Sequence, residues 1–228
     1  MTFFEELGDL TAKEREFLLT APLIEDALRG EITLEQYAAY LKEAYFHVKQ
    51  TVPLLMACGS RLNDSQDWLR AAVKHYIADE YGHEQWILND IARCGFDAEL
   101  VRTGTPSQAT EFMVSYAFDT INRVNPVGFF GMVYVLEGTS VALATQAANS
   151  IRSALNLPET AFSYLLSHGD IDQTHVQFLE KLLEPLGTDD RAIVAHCARR
   201  FFHLYAEIFR SLPRANDAPA TEGLRKVA

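Results

Sequence analysis

The sequence predicts an all-α protein with a single domain, and three observations support this class. Apolar residues recur three and four positions apart along almost every segment, which is the spacing of one face of an α-helix. No segment shows the sustained two-residue alternation of a half-buried strand. No internal repeat or linker is visible, and 228 residues with 48% hydrophobic content are enough to bury one large core.

Proline and capping residues mark where the first helices begin. A short helix is predicted over residues 3–19, and a second over residues 22–29 because proline opens it. Thr33 and Gln36 form a capping-box pattern at the start of a long third helix. A break or kink in that helix is expected near Pro53.

The later helices are separated by glycine, proline and polar residues. They are predicted over residues 64–94, 107–124, 126–155, 159–167, 170–184 and 189–212. Gly169 is expected to loosen the chain between two of them. Residues 1–212 are therefore predicted to form one helical domain. Residues 213–228, rich in Asn, Asp, Pro, Ala and Gly, are predicted to form a flexible tail that is disordered or loosely docked.

Charge and composition exclude several classes of partner. The net charge is −11, from 20 Lys and Arg against 31 Asp and Glu, and no basic stripe is present, so nucleic-acid binding is not expected. The N-terminus lacks signal-peptide features, and no uninterrupted apolar stretch reaches the roughly 18 to 20 residues that span a bilayer. Cys58, Cys94 and Cys197 are widely spaced, which indicates neither a disulfide framework nor a zinc ribbon. We expect a cytoplasmic protein with reduced thiols and no membrane partner.

Two motifs carry possible metal ligands in segments that are predicted to be helical. His168, Asp172 and His175 form an H-x-x-x-D-x-x-H motif, and Glu80 and His83 form E-x-x-H. Offsets of three, four and seven residues stack side chains along one face of a helix. Each motif is therefore predicted to present its side chains together.

Glu43 and Glu137 are isolated carboxylates on two other apolar helices. Di-iron and di-manganese bundles use one Glu from each of two helices and a Glu-x-x-His from each of the other two, and Asp172-x-x-His175 is a shorter version of the last. Four buried carboxylates would be prohibitively unstable without cations, whereas two divalent ions match their charge. Mixed nitrogen and oxygen donors suit iron or manganese better than structural zinc, which favours cysteine. The prediction is two Fe(II) ions per chain, with manganese as the alternative, held by Glu43, Glu80, His83, Glu137, His168, Asp172 and His175.

Each of these features has a simpler interpretation when it is taken alone. An E-x-x-H pair is often solvated, and the longer motif could be a polar helix face. Glu137 could be a buried polar group with a protein partner, and Glu43 could be solvated. His47, one turn after Glu43, could support the site from outside, whereas Asp79 is expected to point about 100° away from the ligand face. A metal centre is favoured because the two motifs and the two isolated glutamates together supply as many ligands as a dinuclear site needs.

The combined pattern resembles the haem-oxygenase-like di-iron oxidases, which share their fold with thiaminase II (TenA) and pyrroloquinoline-quinone synthase. The resemblance runs from about residue 34 to residue 212. It rests on Glu43 within Leu-Lys-Glu-Ala-Tyr-Phe-His-Val, Glu80 and His83 within Asp-Glu-Tyr-Gly-His-Glu-Gln-Trp, Glu137 in the long apolar helix, and above all the motif that ends at His175. It implies a seven-helix bundle, often a homodimer, with a labile dinuclear iron site that activates O₂.

The resemblance also implies a function. Glu80 and Glu137 are the candidate catalytic carboxylates, which are expected to bridge the two ions. Electrons must come from an external donor, because the chain has neither a G-x-G-x-x-G motif after a strand nor an iron–sulfur cysteine pattern. Relatives with these ligands oxidise chemically unrelated molecules, so the substrate stays open. We favour a small carboxylate- or amine-bearing metabolite.

Two other functions remain open from the sequence. A metal-free binding or regulatory protein of the TenA type could use the same bundle, but the acidic charge argues against direct DNA contact. A thiaminase-like hydrolase would need a cysteine nucleophile in the long mid-chain helix, and residues 126–155 contain no cysteine.

Overall fold

Helices follow one another through the whole described chain, and no β-strand forms among residues 1–213, which are the residues that the computed structural model describes. The all-α class is therefore confirmed. Apart from Pro213, the predicted tail of residues 213–228 lies outside the described residues. The α-helices are α1 (Phe3–Leu10), α2 (Ala12–Leu19), α3 (Pro22–Arg29), α4 (Leu34–Val48), α5 (Thr51–Arg61), α6 (Asp67–Glu80), α7 (Glu84–Arg93), α8 (Ala98–Thr103), α9 (Gln108–Asp119), α10 (Phe129–Leu155), α11 (Ser163–Leu183) and α12 (Thr188–Ser211).

The described chain is divided into more segments than the seven helices that the resemblance implies, because several predicted helices are interrupted. Residues 3–19 form two helices that meet at Thr11. The break expected near Pro53 lies slightly earlier, between Val48 and Thr51. Pro53 itself lies in the first turn of α5, where its missing N–H group leaves no helical hydrogen bond unmade.

The helix predicted over residues 64–94 is also interrupted, and the break lies beside the presumed ligands. α6 ends at Glu80, and Tyr81 has an extended backbone. Gly82 has a φ of 94°, a conformation that glycine adopts without strain. His83 then caps the N-terminus of α7. The expectation that Glu80 and His83 stack on one continuous helix is therefore wrong; a tight turn brings them together instead.

Gly169 does not loosen the chain as expected, because α11 is continuous from Ser163 to Leu183. A Cβ atom placed on Gly169 would lie 2.3 Å from Oγ1 of Thr145 on α10. The glycine therefore permits a close approach of α10 and α11, which make the most extensive helix contact in the described chain. This close packing brings Glu137 on α10 near the ligand motif on α11.

α10 is the central helix, and it packs against α3, α11 and α12. The segment Pro126–Leu155 is long and apolar enough to cross a membrane by length and composition, with a mean hydropathy of 1.6 in its most apolar window. This corrects the expectation that no segment reaches that limit. However, 56% of that window is buried inside the protein. Its apolar character is explained by its place in the core, which is a common reason for a helix to pass this test.

Candidate metal centre

Six of the seven predicted ligands converge between four helices. Glu80 is the last residue of α6, and His83 directly precedes α7. Glu137 lies in the buried half of α10, and the remaining three residues lie along one face of α11. The structure thus brings together Glu80, His83, Glu137, His168, Asp172 and His175.

Glu80 lies at the middle of this cluster and belongs to both groups that could hold a cation. One group comprises Glu80, His83 and His168, and the other comprises Glu80, Asp172 and His175; in each, the candidate donor atoms lie within 4.8 Å of one another. Oε2 of Glu80 is 3.1 Å from Nδ1 of His83, whereas Oε1 is 3.6 Å from Nδ1 of His175. The two oxygens of one carboxylate therefore face different groups, which is the arrangement that a bridging ligand needs.

Glu137 completes the second group from the side of α10. Its Oε1 atom is 3.4 Å from Nδ1 of His175, and the same nitrogen is 3.5 Å from Oδ1 of Asp172. Three carboxylates thus surround a single imidazole nitrogen at similar distances.

Backbone and aromatic contacts orient two of the imidazole rings. The Nδ1 atom of His168 lies 3.0 Å from the carbonyl oxygen of Tyr164, which can only accept a hydrogen bond. Nδ1 of His168 therefore carries the proton, and Nε2 is left as the donor atom for a cation. The ring of His83 stacks on Trp86 with 4.1 Å between the centroids, and it meets His168 edge-on at 4.9 Å.

Several buried atoms of the cluster lack a hydrogen-bond partner among residues 1–213. They are Nδ1 of His83, Nδ1 of His175 and Oε2 of Glu137. A buried polar atom without a partner costs about 1–3 kcal/mol, so such atoms are rare in the interior of a protein. A cation bound among these donors would satisfy all of them. The side chains therefore fit a divalent metal with nitrogen and oxygen ligands, as iron and manganese prefer.

The electrostatic state of the cluster also favours added positive charge. Burial raises the pKa of Glu137 to about 8, and the nearby His175 only partly opposes this rise. Burial would lower the pKa of His175, but the carboxylates of Asp172, Glu137 and Glu80 around its ring raise it to about 10. Burial would likewise raise the pKa of Glu80, yet the contact with His83 holds it below its ordinary value. Without a cation, protons on Glu137 and His175 thus compensate for part of the negative charge.

The structure corrects the assignment of Glu43, which lies outside both candidate groups. Its side chain is buried, with only 3% exposure, but Oε2 accepts hydrogen bonds from the backbone N–H of Ser107 (2.9 Å) and from the hydroxyl of Thr110 (2.6 Å). Ser107 caps the N-terminus of α9, where backbone N–H groups favour a negative charge. The N-terminus of α9 therefore stabilises the Glu43 carboxylate. The spacing of residues in the sequence does not show whether a buried carboxylate meets a helix terminus or a metal ion.

A cavity adjoins the cluster, and Glu80, Glu137, His168 and Asp172 form part of its wall. The cavity volume is about 140 Å³, which is many times what one water molecule needs. The wall away from the carboxylates is mostly apolar and includes Leu23, Ile24, Leu143, Ala147, Ile151 and Leu165. His47 also lines the cavity, with Nδ1 held by the carbonyl oxygen of Glu43 at 3.0 Å.

Two residues beside the cluster were missed or misjudged from the sequence. Tyr76 packs edge-on against His175 with 5.4 Å between the ring centroids, and its buried hydroxyl has no hydrogen-bond partner among residues 1–213. Asp79 was expected to point away, yet its Oδ2 lies 3.5 Å from Nε2 of His175. A helical wheel of one segment could not show this contact, because the partner lies on another helix.

Sequence comparison places the chain among known proteins. It belongs to a family described as iron-containing redox enzymes, whose family model matches residues 38–206. A curated relative, a 4-aminobenzoate synthase of Chlamydia muridarum (strain MoPn / Nigg), is 22% identical over 204 residues, which cover 87% of this chain and 85% of the relative.

Structural comparison confirms a haem-oxygenase-like fold. A domain of unknown function with this fold from Shewanella denitrificans OS217 is 26% identical, with a TM-score of 0.83 over 92% of this chain and 90% of that one. A TenA homologue from Pseudomonas syringae pv. tomato DC3000 has a TM-score of 0.76 at 14% identity and covers 90% of both chains. Haem oxygenase-1 from Synechocystis sp. PCC6803 has a TM-score of 0.69 at 14% identity, over 92% of this chain and 91% of that one.

Proposed function

We propose that this protein is an O₂-dependent oxidase that holds two iron ions on either side of Glu80 and oxidises a small molecule in the adjoining cavity. The observation that carries the proposal is the position of the Glu80 carboxylate, whose two oxygens face two separate groups of donors. Unpartnered buried atoms on His83, His175 and Glu137 support it, because a protein interior rarely leaves such atoms unsatisfied.

Each part of the cluster has a distinct task in this proposal. Glu80 would serve both ions. His83 and His168 would complete the donors for one ion, and Asp172 and His175 would complete those for the other. Glu137 holds a proton at neutral pH when cations are absent, and cation binding displaces that proton. Iron, when bound, supplies the electrons with which O₂ is reduced, so the reaction also needs an external electron donor.

The cavity supports a substrate with one polar end and an apolar body. A carboxylate or amine near Glu80 and Glu137 could reach the ions, and the apolar wall would hold the rest of the molecule away from water. We therefore propose a small carboxylate- or amine-bearing metabolite whose remaining part is apolar. We also propose a homodimer, as is frequent for this fold, which sedimentation velocity can check.

The cysteine chemistry supports the oxidase over a thiaminase-like hydrolase. Cys58, Cys94 and Cys197 are all buried, and none lies on α10. Burial raises the pKa of Cys58 and of Cys94 to about 12, and it also raises the pKa of Cys197. Thiols with raised pKa values are poor nucleophiles at neutral pH.

Anaerobic loading with Fe(II), followed by exposure to O₂, tests the proposal. We expect about two irons per chain and rapid O₂ consumption that increases with some members of a panel of apolar acids and amines. The matched pair of variants is Glu80→Gln, which should lose both metal and O₂ consumption, and Glu43→Gln, which should keep the metal. A wild-type protein that binds no iron would favour the metal-free regulatory alternative. Thiamin breakdown that depends on one of the cysteines would favour the hydrolase.

A further inference from the structure

Two consecutive carboxylates at the end of α6 contact opposite sides of one imidazole ring. Glu80 faces the Nδ1 side of His175, at 3.6 Å, whereas Oδ2 of Asp79 lies 3.5 Å from Nε2 of the same ring. The Nδ1 side also faces Glu137 and Asp172, at 3.4 and 3.5 Å. The ring thus directs one nitrogen into the cluster and the other nitrogen toward Asp79.

Asp79 is unfavourably placed with respect to the dipole of its own helix. It lies in the last turn of α6, which contains no basic residue, and negative charge there interacts unfavourably with the helix dipole. Its side chain is 36% exposed, so a solvated rotamer is open to it. Its oxygen nevertheless lies between two imidazoles, with Nε2 of His75 at 3.3 Å on the solvent side and His175 on the buried side.

Ring packing restricts the remaining freedom of His175. Tyr76 meets its ring edge-on at 5.4 Å, and Phe178 packs against both Tyr76 and His75 at 5.5 and 5.1 Å between ring centroids. The ring of Tyr76, itself packed against Phe178, therefore limits rotation of the His175 ring. Which nitrogen carries the proton is decided by the polar groups on either side.

We infer that Asp79 is a positioning residue that accepts the Nε2–H of His175 and so leaves Nδ1 free as the donor atom for a metal ion. A carboxylate on the outer nitrogen of a ligating histidine fixes its tautomer and orientation and makes the other nitrogen more basic. This inference rests on the proposed metal site, and it adds a residue that does not itself touch the ion. Its removal typically weakens metal binding by about 10- to 100-fold.

The test compares Asp79→Ala with Asp67→Ala, which removes the same charge from the same helix. Asp67 is exposed and, within residues 1–213, forms an ion pair with Arg70, so it serves as the matched control. Anaerobic competition with a chelator of known affinity measures Fe(II) binding. We expect Asp79→Ala to bind about 10- to 100-fold more weakly and Asp67→Ala to bind as the wild type does. Asp79→Asn, which keeps an acceptor oxygen, should fall between the wild type and Asp79→Ala.

A second readout separates positioning from a general structural role. Long-range proton–nitrogen NMR of the Zn(II)-loaded, histidine-labelled protein should show a protected Nε2–H on His175 in the wild type and its loss in Asp79→Ala. The thermal midpoint of the metal-free protein should fall no further in Asp79→Ala than in Asp67→Ala, because each variant removes an ion pair made by this helix.

Two results would overturn the inference. One is Fe(II) affinity of Asp79→Ala within threefold of the wild type. The other is an affinity loss in Asp79→Ala that leaves the protected Nε2–H of His175 unchanged. A wild-type chain that binds no metal would instead contradict the proposed function itself, and the inference with it.

Discussion

Glu43 and Glu137 are two buried carboxylates on apolar helices, and the structure stabilises them in opposite ways. Their exposures are similar, at 3% and 7%. Oε2 of Glu43 accepts two hydrogen bonds at the start of α9, whereas Oε2 of Glu137 has no partner among residues 1–213. The Glu43 carboxylate therefore finds its hydrogen-bond partners within the protein. One oxygen of Glu137 needs an added cation as its partner. Burial alone therefore does not identify a metal ligand. A buried carboxylate oxygen that lacks a hydrogen-bond partner is the more informative sign.

The largest expected difference concerns metal content. Glu80→Gln should abolish binding at both ion positions, because both groups share this carboxylate. Glu43→Gln should keep about two irons per chain, because its side chain belongs to neither group. Elemental analysis after anaerobic Fe(II) loading and desalting measures both variants. Retention of two irons by Glu80→Gln would contradict the role of Glu80 as a shared ligand. Loss of iron from Glu43→Gln would contradict the placement of Glu43 outside the metal centre.

The next effect concerns the stability of the metal-free protein. Glu43→Leu should lower the free energy of unfolding by roughly 1–3 kcal/mol, because Ser107 and Thr110 lose their acceptor in a buried place. Glu137→Leu should leave it unchanged or raise it, because removal of a buried carboxylate with one unpartnered oxygen offsets the loss of its contact with His175. Denaturant unfolding in the presence of a chelator measures both. An equal loss in the two variants would show that Glu137 is as well satisfied as Glu43.

The stability of the metal-free protein should also depend on pH through the residues of the cluster. Burial raises the pKa of Glu137 to about 8, and the surrounding carboxylates raise the pKa of His175 to about 10. A raised folded-state pKa gives stability that is fully present below the unfolded value and is lost as pH rises through the folded value. The metal-free protein should therefore lose stability from about pH 4.5 to pH 8 through Glu137, and from about pH 6.5 to pH 10 through His175.

Unfolding measured with a chelator at several pH values checks this trend. Glu137→Gln should flatten the profile up to about pH 8. A Glu137→Gln profile with the same slope as the wild type between about pH 4.5 and pH 8 would contradict the proposed protonation of Glu137.

The smallest expected effect is at the hydroxyl that supports Glu43. Thr110→Val removes one of its two hydrogen bonds and keeps the shape of the side chain, so the loss of stability should be about 1 kcal/mol. Iron content should not change. A loss of iron from Thr110→Val would mean that the position of Glu43 affects metal binding.

Helix periodicity was sufficient to predict the all-α class, and the spacing along α11 was sufficient to bring His168, Asp172 and His175 together. These features are local, because one helix determines them. The break at Gly82 was missed, since a single glycine in a periodic segment does not show whether the helix continues.

Contacts between helices could not be predicted in the same way. The role of Glu43 depends on the N-terminus of α9, and the contact of Asp79 depends on His175 of α11. Gly169 was interpreted as a weak point because its partner Thr145 lies on a different helix. The residues of the cavity wall also could not be predicted from the sequence, because apolar residues that line a cavity have the same spacing as those that fill a core.

Iron-edge anomalous diffraction from crystals grown anaerobically with Fe(II) tests the central claim most directly. The account predicts two peaks, one among Glu80, His83 and His168 and the other among Glu80, Asp172 and His175, with no peak beside Glu43. A single peak that does not contact Glu80, or no peak in fully loaded crystals, would contradict it.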